Sequence, residues 1–275
     1  MKRLKRTYAE FWAERLHIRW KPIIAETEDL LKVYRKEADF IKEVLSLSAG
    51  QRVLDLGCGA GEHCLALAQQ GINATGIDIA PALVDYARQQ AEKQALEKNL
   101  SKKGFKGASV PLEQKYTEGF AIRSGVSAEF LCADMRTFRS KVQFDAVFTS
   151  SGTFGLPDDA DNQAVLQTIS DALIDEGRFL IGPGNPKLLE QESFRRKDWF
   201  LVEDGCLLRE IDWNRLKSSF HENLLFIDAT GTIIEFGGFD DKNMGASGKV
   251  YSLAQLREMI ETAGLVFEAA YGSFE

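Results

Sequence analysis

Residues 53–61 read VLDLGCGAG, which is a glycine-rich loop directly after an apolar run. Such a loop before a helix is typical of nucleotide-type cofactor sites, because glycine lets the backbone approach a ligand closely. The glycines are Gly57, Gly59 and Gly61, so the spacing is G-x-G-x-G and not the G-x-G-x-x-G of dinucleotide-binding loops. Asp55 lies inside the preceding run, where a phosphate-binding loop would not favour negative charge.

The charges around the loop favour a cationic ligand. Asp55 and Glu62 would each repel a pyrophosphate by an energy on the order of several kcal/mol at a few ångströms. S-adenosylmethionine carries an ammonium and a sulfonium group, so we predict that Asp55 partners its α-ammonium group, directly or through water. The alternative for Asp55 is a buried carboxylate that accepts N–H bonds and shapes the loop. Glu62 is predicted to be an acid at a helix N-terminus. Asp78, 21 residues after Gly57, is placed to accept hydrogen bonds from a ribose.

Short apolar runs alternate with helical patterns along the rest of the chain. The predicted strands are residues 51–56, 73–78, 128–135, 144–151 and 177–182, and the predicted helices between them are residues 61–71, 81–100 and 161–173. This β-α-β-α order predicts an α/β fold with a doubly wound, mostly parallel sheet and helices on both faces.

The segments outside this alternation complete a four-part division of the chain. Residues 1–50 are predicted to be a helical cap, and residues 51–197 the cofactor-binding core. Residues 97–127 are an insertion within that core, either a mobile surface segment or a lid. Residues 198–250 contain two hairpin patterns and are predicted to be an antiparallel β-flap near the carboxyl ends of the strands. Residues 251–275 are predicted to be a helix, with a capping box and a glycine stop, followed by a sixth strand.

The stretch VLDLGCGAGEHCLALAQQGINATGIDIAPALVDYAR resembles motifs I and II of the Rossmann-like, class I S-adenosylmethionine-dependent methyltransferases. The resemblance continues through AEFLCADMRTF, FDAVFTSSGTFG and DEGRFLI, and resumes at VYSLAQLREMIETAGLVFEAAYG. It is strongest for the bacterial small-molecule type with an antiparallel flap after the fifth strand. The resemblance implies a three-layer α/β/α core and S-adenosylmethionine as cofactor, with S-adenosylhomocysteine as product.

Position by position, the resemblance also implies which residues contact the cofactor. These are Gly57, Cys58 and Gly59 along the methionine moiety, Gly61 at the start of the helix, Asp78 at the ribose, Ile79 on one face of the adenine, Asp134 at the adenine amino group with Met135 beside it, and Ser150 and Ser151 at the methionine end. Asp134 has an alternative role as a turn or cap residue, and Ile79 as an ordinary core residue.

The C-terminal end departs from the family pattern. Members usually finish with a seventh strand, antiparallel and inserted between strands five and six, whereas this sequence ends at Glu275 after the predicted sixth strand. We expect either a truncation or another segment in that place. A fifth strand without a partner would present an exposed edge that is prone to aggregation.

Methyl transfer from a sulfonium is an in-line displacement, so alignment and water exclusion are the main requirements and a general base is needed only for some acceptors. His221, in the predicted flap, is the candidate base, with a solvated polar strand residue as the alternative. His63 is predicted to pack or to contact the cofactor, and His17 to lie on the surface.

The aromatic residues Trp199, Trp213 and Phe220 are predicted to line an acceptor pocket. The aromatic residues at 8, 12 and 20 are predicted to contact the sulfonium or to pack in a helical or dimer interface.

Composition limits the partners. A net charge of −7 and a pI near 5.2 argue against a broad nucleic-acid surface, and no apolar run is long enough to cross a membrane. The four cysteines and three histidines show no zinc or disulfide spacing, so we predict no metal and a cytoplasmic location. The predicted partner is a small-molecule acceptor, and a homodimer is left as an open alternative.

Three alternative functions are considered. They are a nicotinamide-dependent oxidoreductase, a catalytically silent cofactor- or partner-binding protein, and an RNA or protein methyltransferase. The lysines at 98, 102, 103 and 106 are the feature that supports the last of these.

Overall fold

A computed structural model describes residues 2–7, 27–102, 128–191, 196–202, 205–237 and 246–272. Three sequence-based predictions lie outside these residues: the N-terminal aromatic helix with Tyr8, Trp12 and Trp20, the surface position of His17, and most of the insertion at 97–127. No helix in the described ranges is both long enough and apolar enough to cross a lipid bilayer.

The centre of the molecule is a parallel five-stranded sheet. Its strands are β2 (Arg52–Leu56), β3 (Asn73–Asp78), β4 (Ala128–Cys132), β5 (Phe144–Phe154) and β6 (Leu173–Pro183). They lie in the order β4-β3-β2-β5-β6. The strand order reverses between β2 and β5. Ligands of open α/β sheets bind at such a switch point, outside the carboxyl ends of the strands, where the glycine loop begins.

Helices cover both faces of this sheet. They are α1 (Thr27–Val44), α2 (Glu62–Gln69), α3 (Pro81–Lys102), α4 (Asp159–Ala172), α5 (Pro186–Glu190) and α6 (Leu253–Thr262). Buried side chains of α1, α2 and α3 form one apolar cluster with the sheet, and those of α4 and α6 form a second. The predicted doubly wound α/β fold is therefore confirmed. The capping box is also present, since Ser252 and Gln255 bond each other's backbone N–H at the start of α6.

A second, six-stranded sheet is formed by one strand before the parallel sheet in the chain and five strands after it. It comprises β1 (Arg3–Thr7), β7 (Lys197–Val202), β8 (Gly205–Asn214), β9 (Ser219–Asp228), β10 (Ile233–Gly237) and β11 (Ala246–Lys249). Strands β7 to β10 pair as an antiparallel meander, and β11 pairs with β9. The hairpins predicted within residues 198–236 are therefore confirmed, with an apolar cluster of their own around Phe226. The four-part domain division itself stays a prediction.

Two predicted elements are wrong. Residues 3–7 form a strand parallel to β10, not part of a helix, because the backbone pairs with β10 and Leu4 packs on the apolar cluster of the second sheet. The sixth strand predicted at 265–274 is not formed over its described part. There, Leu265 and Phe267 pack against the cluster of α4 and α6, and the backbone enters no ladder. Among the described residues, β6 is consequently paired on one side only, as expected for a fifth strand without a partner.

Candidate cofactor and acceptor site

The glycine loop leaves β2 in a tight turn. The N–H groups of Gly57 and Cys58 both donate to the carbonyl oxygen of Ile77, at 2.8 and 2.9 Å, which fastens the loop to β3. Gly57, Gly59 and Gly61 have φ angles of 79°, 56° and 81°, a region in which side chains other than glycine are strained. Gly61 is the N-cap of α2 and has no side chain with which to cap the first N–H groups of the helix.

Asp78 lies against this loop at the end of β3. Its Oδ2 accepts the N–H of Gly59 at 3.0 Å, and its Oδ1 accepts the N–H of Ala80 at 2.9 Å. The neighbouring Ile79 is 49% exposed, although it is apolar, so the core alternative for this residue does not hold. A carboxylate and an exposed apolar side chain therefore lie side by side next to the glycine loop.

Asp55 is fully buried below the loop. Its Oδ2 accepts a hydrogen bond from the Cys64 thiol at 3.6 Å, and its Oδ1 has no partner in the described structure. The loop N–H groups of Gly57 and Cys58 bond Ile77 instead, so the alternative in which Asp55 shapes the turn is not supported. Burial raises the pKa of Asp55 to about 7, against the lowering effect of the positive charge on His63.

His63 is buried in the first turn of α2, which agrees with its predicted packing role. Its Nε2 lies 2.6 Å from Oε2 of Glu37 on α1, and the Tyr34 ring meets it edge-on with centroids 5.2 Å apart. Burial lowers the pKa of His63, but the hydrogen bond to Glu37 and the charge of Asp55 outweigh it, so the net pKa is raised. Glu37 was not identified from the sequence.

Asp134 follows β4, which ends at Cys132 and not at residue 135 as predicted. Both carboxylate oxygens of Asp134 accept hydrogen bonds from the Arg136 guanidinium, whose Nη1 also donates to Asp161 at 2.7 Å. The Arg136 bonds lower the pKa of Asp134. The turn role is thus observed, because Asp134 also accepts the backbone N–H of Arg136. Met135 packs beside it against the apolar cluster of α4 and α6.

The end of β5 touches the glycine loop. Between Thr149 and Phe154 the pairing with β6 is irregular, which marks a bulge of the kind often found next to functional sites. Ser150 lies in this bulge, and its Oγ is 3.3 Å from Oγ1 of Thr153. Ser151 follows it in the strand. Thr153 packs so closely on Gly57 that a Cβ there would clash with its methyl group. Thr153 was missed because the strand was predicted to stop at 151.

A cleft of about 930 Å³ lies where the second sheet meets the loop after β5. Its lining comprises Pro157, residues 212–217, residues 219–221 and residues 247–249. Three of the predicted acceptor-site residues, Trp213, Phe220 and His221, are brought together there. Trp199 is not among the lining residues; it lies on β7 and is 63% exposed.

His221 is held on two sides at the wall of the cleft. Its Nε2 lies 3.1 Å from Oδ1 of Asn223, and its Nδ1 lies 2.8 Å from Oγ of Ser247. An amide oxygen only accepts hydrogen bonds, so the proton belongs on Nε2, and Nδ1 accepts from the Ser247 hydroxyl. Neither Asn223 nor Ser247 was identified from the sequence.

A short series of contacts connects the cleft with the glycine loop. The N–H of Lys249, in the cleft wall, donates to the carbonyl oxygen of Gly155 at 2.8 Å. Gly155 is two residues after Thr153, a separation of at most about 7 Å, and Thr153 packs on Gly57. The arrangement suits a cofactor on the loop and a second molecule in the cleft. Within the described ranges, no three His, Cys, Asp or Glu side chains are grouped as metal ligands.

Comparisons with known proteins agree with this geometry. Residues 47–106 match a protein family described as a methyltransferase domain. An S-adenosyl-L-methionine-dependent Diels-Alderase of Talaromyces variabilis is 40% identical over 68 residues, which are 25% of this chain and 23% of that protein. A ubiquinone biosynthesis O-methyltransferase of Coxiella burnetii is 42% identical over 60 residues, 22% of this chain and 25% of that protein. The chain thus matches about a quarter of the length of each relative.

Similarity to a solved structure extends over most of the chain. The CcbJ methyltransferase from Streptomyces caelestis superposes with a TM-score of 0.63 at 17% identity, covering 88% of this chain and 82% of the other. At that identity the likeness concerns the fold, and the sequence match concerns the segment that carries the glycine loop, Asp78 and His63. The chain therefore shares the Rossmann-like fold of the CcbJ methyltransferase, and its residues 47–106 are similar to a methyltransferase domain.

Proposed function

We propose that this protein is an S-adenosylmethionine-dependent methyltransferase that acts on a small-molecule acceptor. The observation that carries the proposal is the pair of carboxylates at the glycine loop. Asp78 is bonded to the loop, and Asp55 is buried below it with one oxygen that has no partner among the described residues. A buried carboxylate with a free acceptor favours a ligand that brings a cation, and two carboxylates here disfavour a pyrophosphate.

The proposed cofactor contacts follow from where the structure places the candidate residues. Asp55 would accept from the α-ammonium group, Asp78 would accept from the ribose hydroxyls, and Ile79 would cover one face of the adenine. Asp134 would accept from the adenine amino group in exchange for part of its contact with Arg136, because Arg136 makes four hydrogen bonds to this carboxylate and a carboxylate offers about four lone-pair sites. Bound S-adenosylmethionine would supply an electrophilic methyl group on its sulfonium. The backbone of residues 57–59 and the bulge at Ser150 and Ser151 would hold the methionine end.

We propose the cleft as the acceptor site, with His221 as general base. An acceptor O–H or N–H would take the place of the Ser247 hydroxyl at Nδ1 of His221, and that atom would hold the proton that the acceptor gives up. Asn223 would keep the other proton on Nε2, so that Nδ1 is the accepting atom. Trp213 and Phe220 would flank the acceptor and exclude water.

The test separates cofactor binding from methyl transfer. Calorimetry should show S-adenosylhomocysteine binding to the wild-type protein, and labelled methyl should move from S-adenosylmethionine into the low-molecular-weight fraction of a cell extract. His221→Gln should keep its affinity for S-adenosylhomocysteine and lose transfer by roughly 100- to 10,000-fold. Binding of a nicotinamide dinucleotide in place of S-adenosylhomocysteine would overturn the proposal. Undiminished transfer by His221→Gln would remove only the general base.

A second candidate is a cofactor-binding protein of this fold that transfers no methyl group. The match to the Talaromyces variabilis protein supports it, because that relative is named for a cycloaddition and not for methyl transfer. The same experiment distinguishes the two candidates. Tight S-adenosylhomocysteine binding without labelled product in small-molecule, RNA or protein fractions would favour the second.

A further inference from the structure

Three ionisable side chains from three elements lie beneath the glycine loop. Glu37 on α1 bonds His63 on α2 with an Nε2 to Oε2 distance of 2.6 Å. The His63 ring faces Phe148 with centroids 6.2 Å apart, Phe148 is the β5 partner of Asp55 on β2, and the thiol of Cys64, next to His63, donates to Asp55 at 3.6 Å. Exposure falls along this series, from 20% for the Glu37 side chain to 9% for His63 and none for Asp55. Only Asp55 has a place in the proposed function so far.

The other ionisable groups around Asp55 cannot supply a positive charge. Glu62 on α2 and Asp78 on β3 both raise its pKa. Burial raises the pKa of the Cys58 and Cys64 thiols, and it also raises the pKa of Tyr34 on α1, so all three stay neutral at pH 7. Among the described groups that act on Asp55, His63 is the cation.

We infer that His63, held by Glu37, is a positioning residue that keeps Asp55 ionised and so sets the affinity of the loop for the ammonium end of the cofactor. The inference rests on the proposed function. Its physical basis is the arrangement itself: an imidazolium beside a fully buried carboxylate stabilises the anion, and only the anion attracts an ammonium group strongly. Glu37 in turn stabilises the imidazolium, which would otherwise lose its proton on burial.

The experiment uses two ligands that differ at the relevant group. S-adenosylhomocysteine carries the amino-acid ammonium, and 5′-methylthioadenosine keeps the adenosine and lacks the amino acid. In calorimetry at pH 7, Glu37→Gln and His63→Gln should weaken S-adenosylhomocysteine binding about tenfold or more, because one opposite charge near a carboxyl moves its pKa by about 1–3 units. Binding of 5′-methylthioadenosine should change less than about twofold. Glu43→Gln, at an exposed position of the same helix, is the matched control and should change neither.

The pH profile adds a readout that a packing role would not move. Wild-type affinity for S-adenosylhomocysteine should rise from pH 5.5 to pH 7.5 as Asp55 ionises, while affinity for 5′-methylthioadenosine stays flat. In Glu37→Gln the rise should shift to higher pH, because the carboxyl loses its stabilising cation.

The outcomes that overturn the inference differ from those that overturn the proposed function. A wild-type protein that binds neither ligand removes the proposed function. A wild-type protein that binds both, together with Glu37→Gln of unchanged affinity and pH profile, removes the inference alone. Equal losses for both ligands would also remove it, since they indicate a general packing role. Glu37 is partly exposed, so its variant decides the matter even if His63→Gln does not fold.

Discussion

The backbone N–H of Gly59 donates a hydrogen bond to Oδ2 of Asp78 at 3.0 Å, which joins the glycine loop to the end of the neighbouring strand β3. The second oxygen of Asp78 accepts the N–H of Ala80 at 2.9 Å. A carboxylate offers about four lone-pair sites, so a single side chain can hold a loop and also accept from a ligand hydroxyl. Under the proposed function, Asp78 would couple the glycine loop to the ribose.

Asp78→Ala should weaken S-adenosylhomocysteine binding by about 2–4 kcal/mol, because it removes charge-assisted bonds to the ribose and releases the Gly59 N–H. Asp78→Asn keeps the size and one acceptor oxygen and should lose less. Calorimetry at constant pH measures both. Unchanged affinity in Asp78→Ala would reject the ribose assignment.

The buried Asp55 should make the stability of the protein depend on pH. Its pKa is about 7 in the folded state against an ordinary value of 3.8, so the folded protein binds more protons than the unfolded chain between these values. Stability contributed by the protonated form is present below about pH 4 and is lost as the pH rises through 7. Over this pH range the free energy of unfolding should fall by roughly 4 kcal/mol in total.

Asp55→Asn should not show this pH-dependent loss of unfolding free energy, because an amide does not ionise. The free energy of unfolding of the variant, relative to wild type, should therefore increase from pH 5 to pH 8 in urea titrations. The same variant should bind S-adenosylhomocysteine more weakly, since it has lost the anion. A difference in unfolding free energy that stays constant with pH would contradict the buried, ionising carboxylate.

The sequence was sufficient for the five parallel strands of the central sheet, although not for the sixth strand predicted at 265–274, because the signals of those five strands are local. The glycine spacing, the apolar strand patterns and the acid at residue 78 each depend on residues within one element or its neighbour, and the structure places Asp78 against Gly59 as these signals imply. The position of Asp55 below the loop follows in the same way, since it belongs to the strand that delivers the loop.

The residues missed by the sequence analysis are those defined by contacts distant in the chain. Glu37 meets His63 only because α1 packs on α2, and Ser247 meets His221 only because β11 pairs with β9. Strand β1 was missed for the same reason, because its partner β10 lies more than 200 residues later and Leu4 alone gives little periodicity. Such pairings depend on tertiary packing, which a local pattern does not encode.

Gly57 should not tolerate a side chain. Its φ of 79° is costly for alanine, by roughly 1–2 kcal/mol, and a Cβ would also clash with the Thr153 methyl group. Gly57→Ala should therefore lower stability and S-adenosylhomocysteine affinity together.

Thr153→Ser removes the clashing methyl and keeps the hydroxyl. The double variant should regain the part of the loss that comes from the clash and keep the part that comes from φ. Denaturation and calorimetry on the four proteins of this cycle measure both parts. Strictly additive effects would show that the end of β5 does not press on the loop.

Removing the Tyr251 hydroxyl should weaken binding of the acceptor in the cleft more than binding of the cofactor. Its hydroxyl donates to Oδ1 of Asp159 at 2.7 Å and accepts from Nδ2 of Asn162 at 2.9 Å. Asn162 is fully buried and bonds the N–H groups of Gly155 and Leu156, which form the loop before Pro157. Tyr251 therefore braces the segment that closes one side of the cleft.

Tyr251→Phe should cost about 1–3 kcal/mol of unfolding free energy, because it removes the buried hydrogen bond from Asn162 and a partly buried one to Asp159. Tyr271→Phe is the matched control, because Tyr271 is 55% exposed and meets Phe40 through its ring, and its change should stay below about 0.5 kcal/mol. In methyl-transfer assays, Tyr251→Phe should raise KM for the acceptor while the affinity for S-adenosylhomocysteine is kept. An equal loss for acceptor and cofactor would mean that the brace supports the whole switch point, because Gly155 lies only two residues from the threonine that packs on the glycine loop.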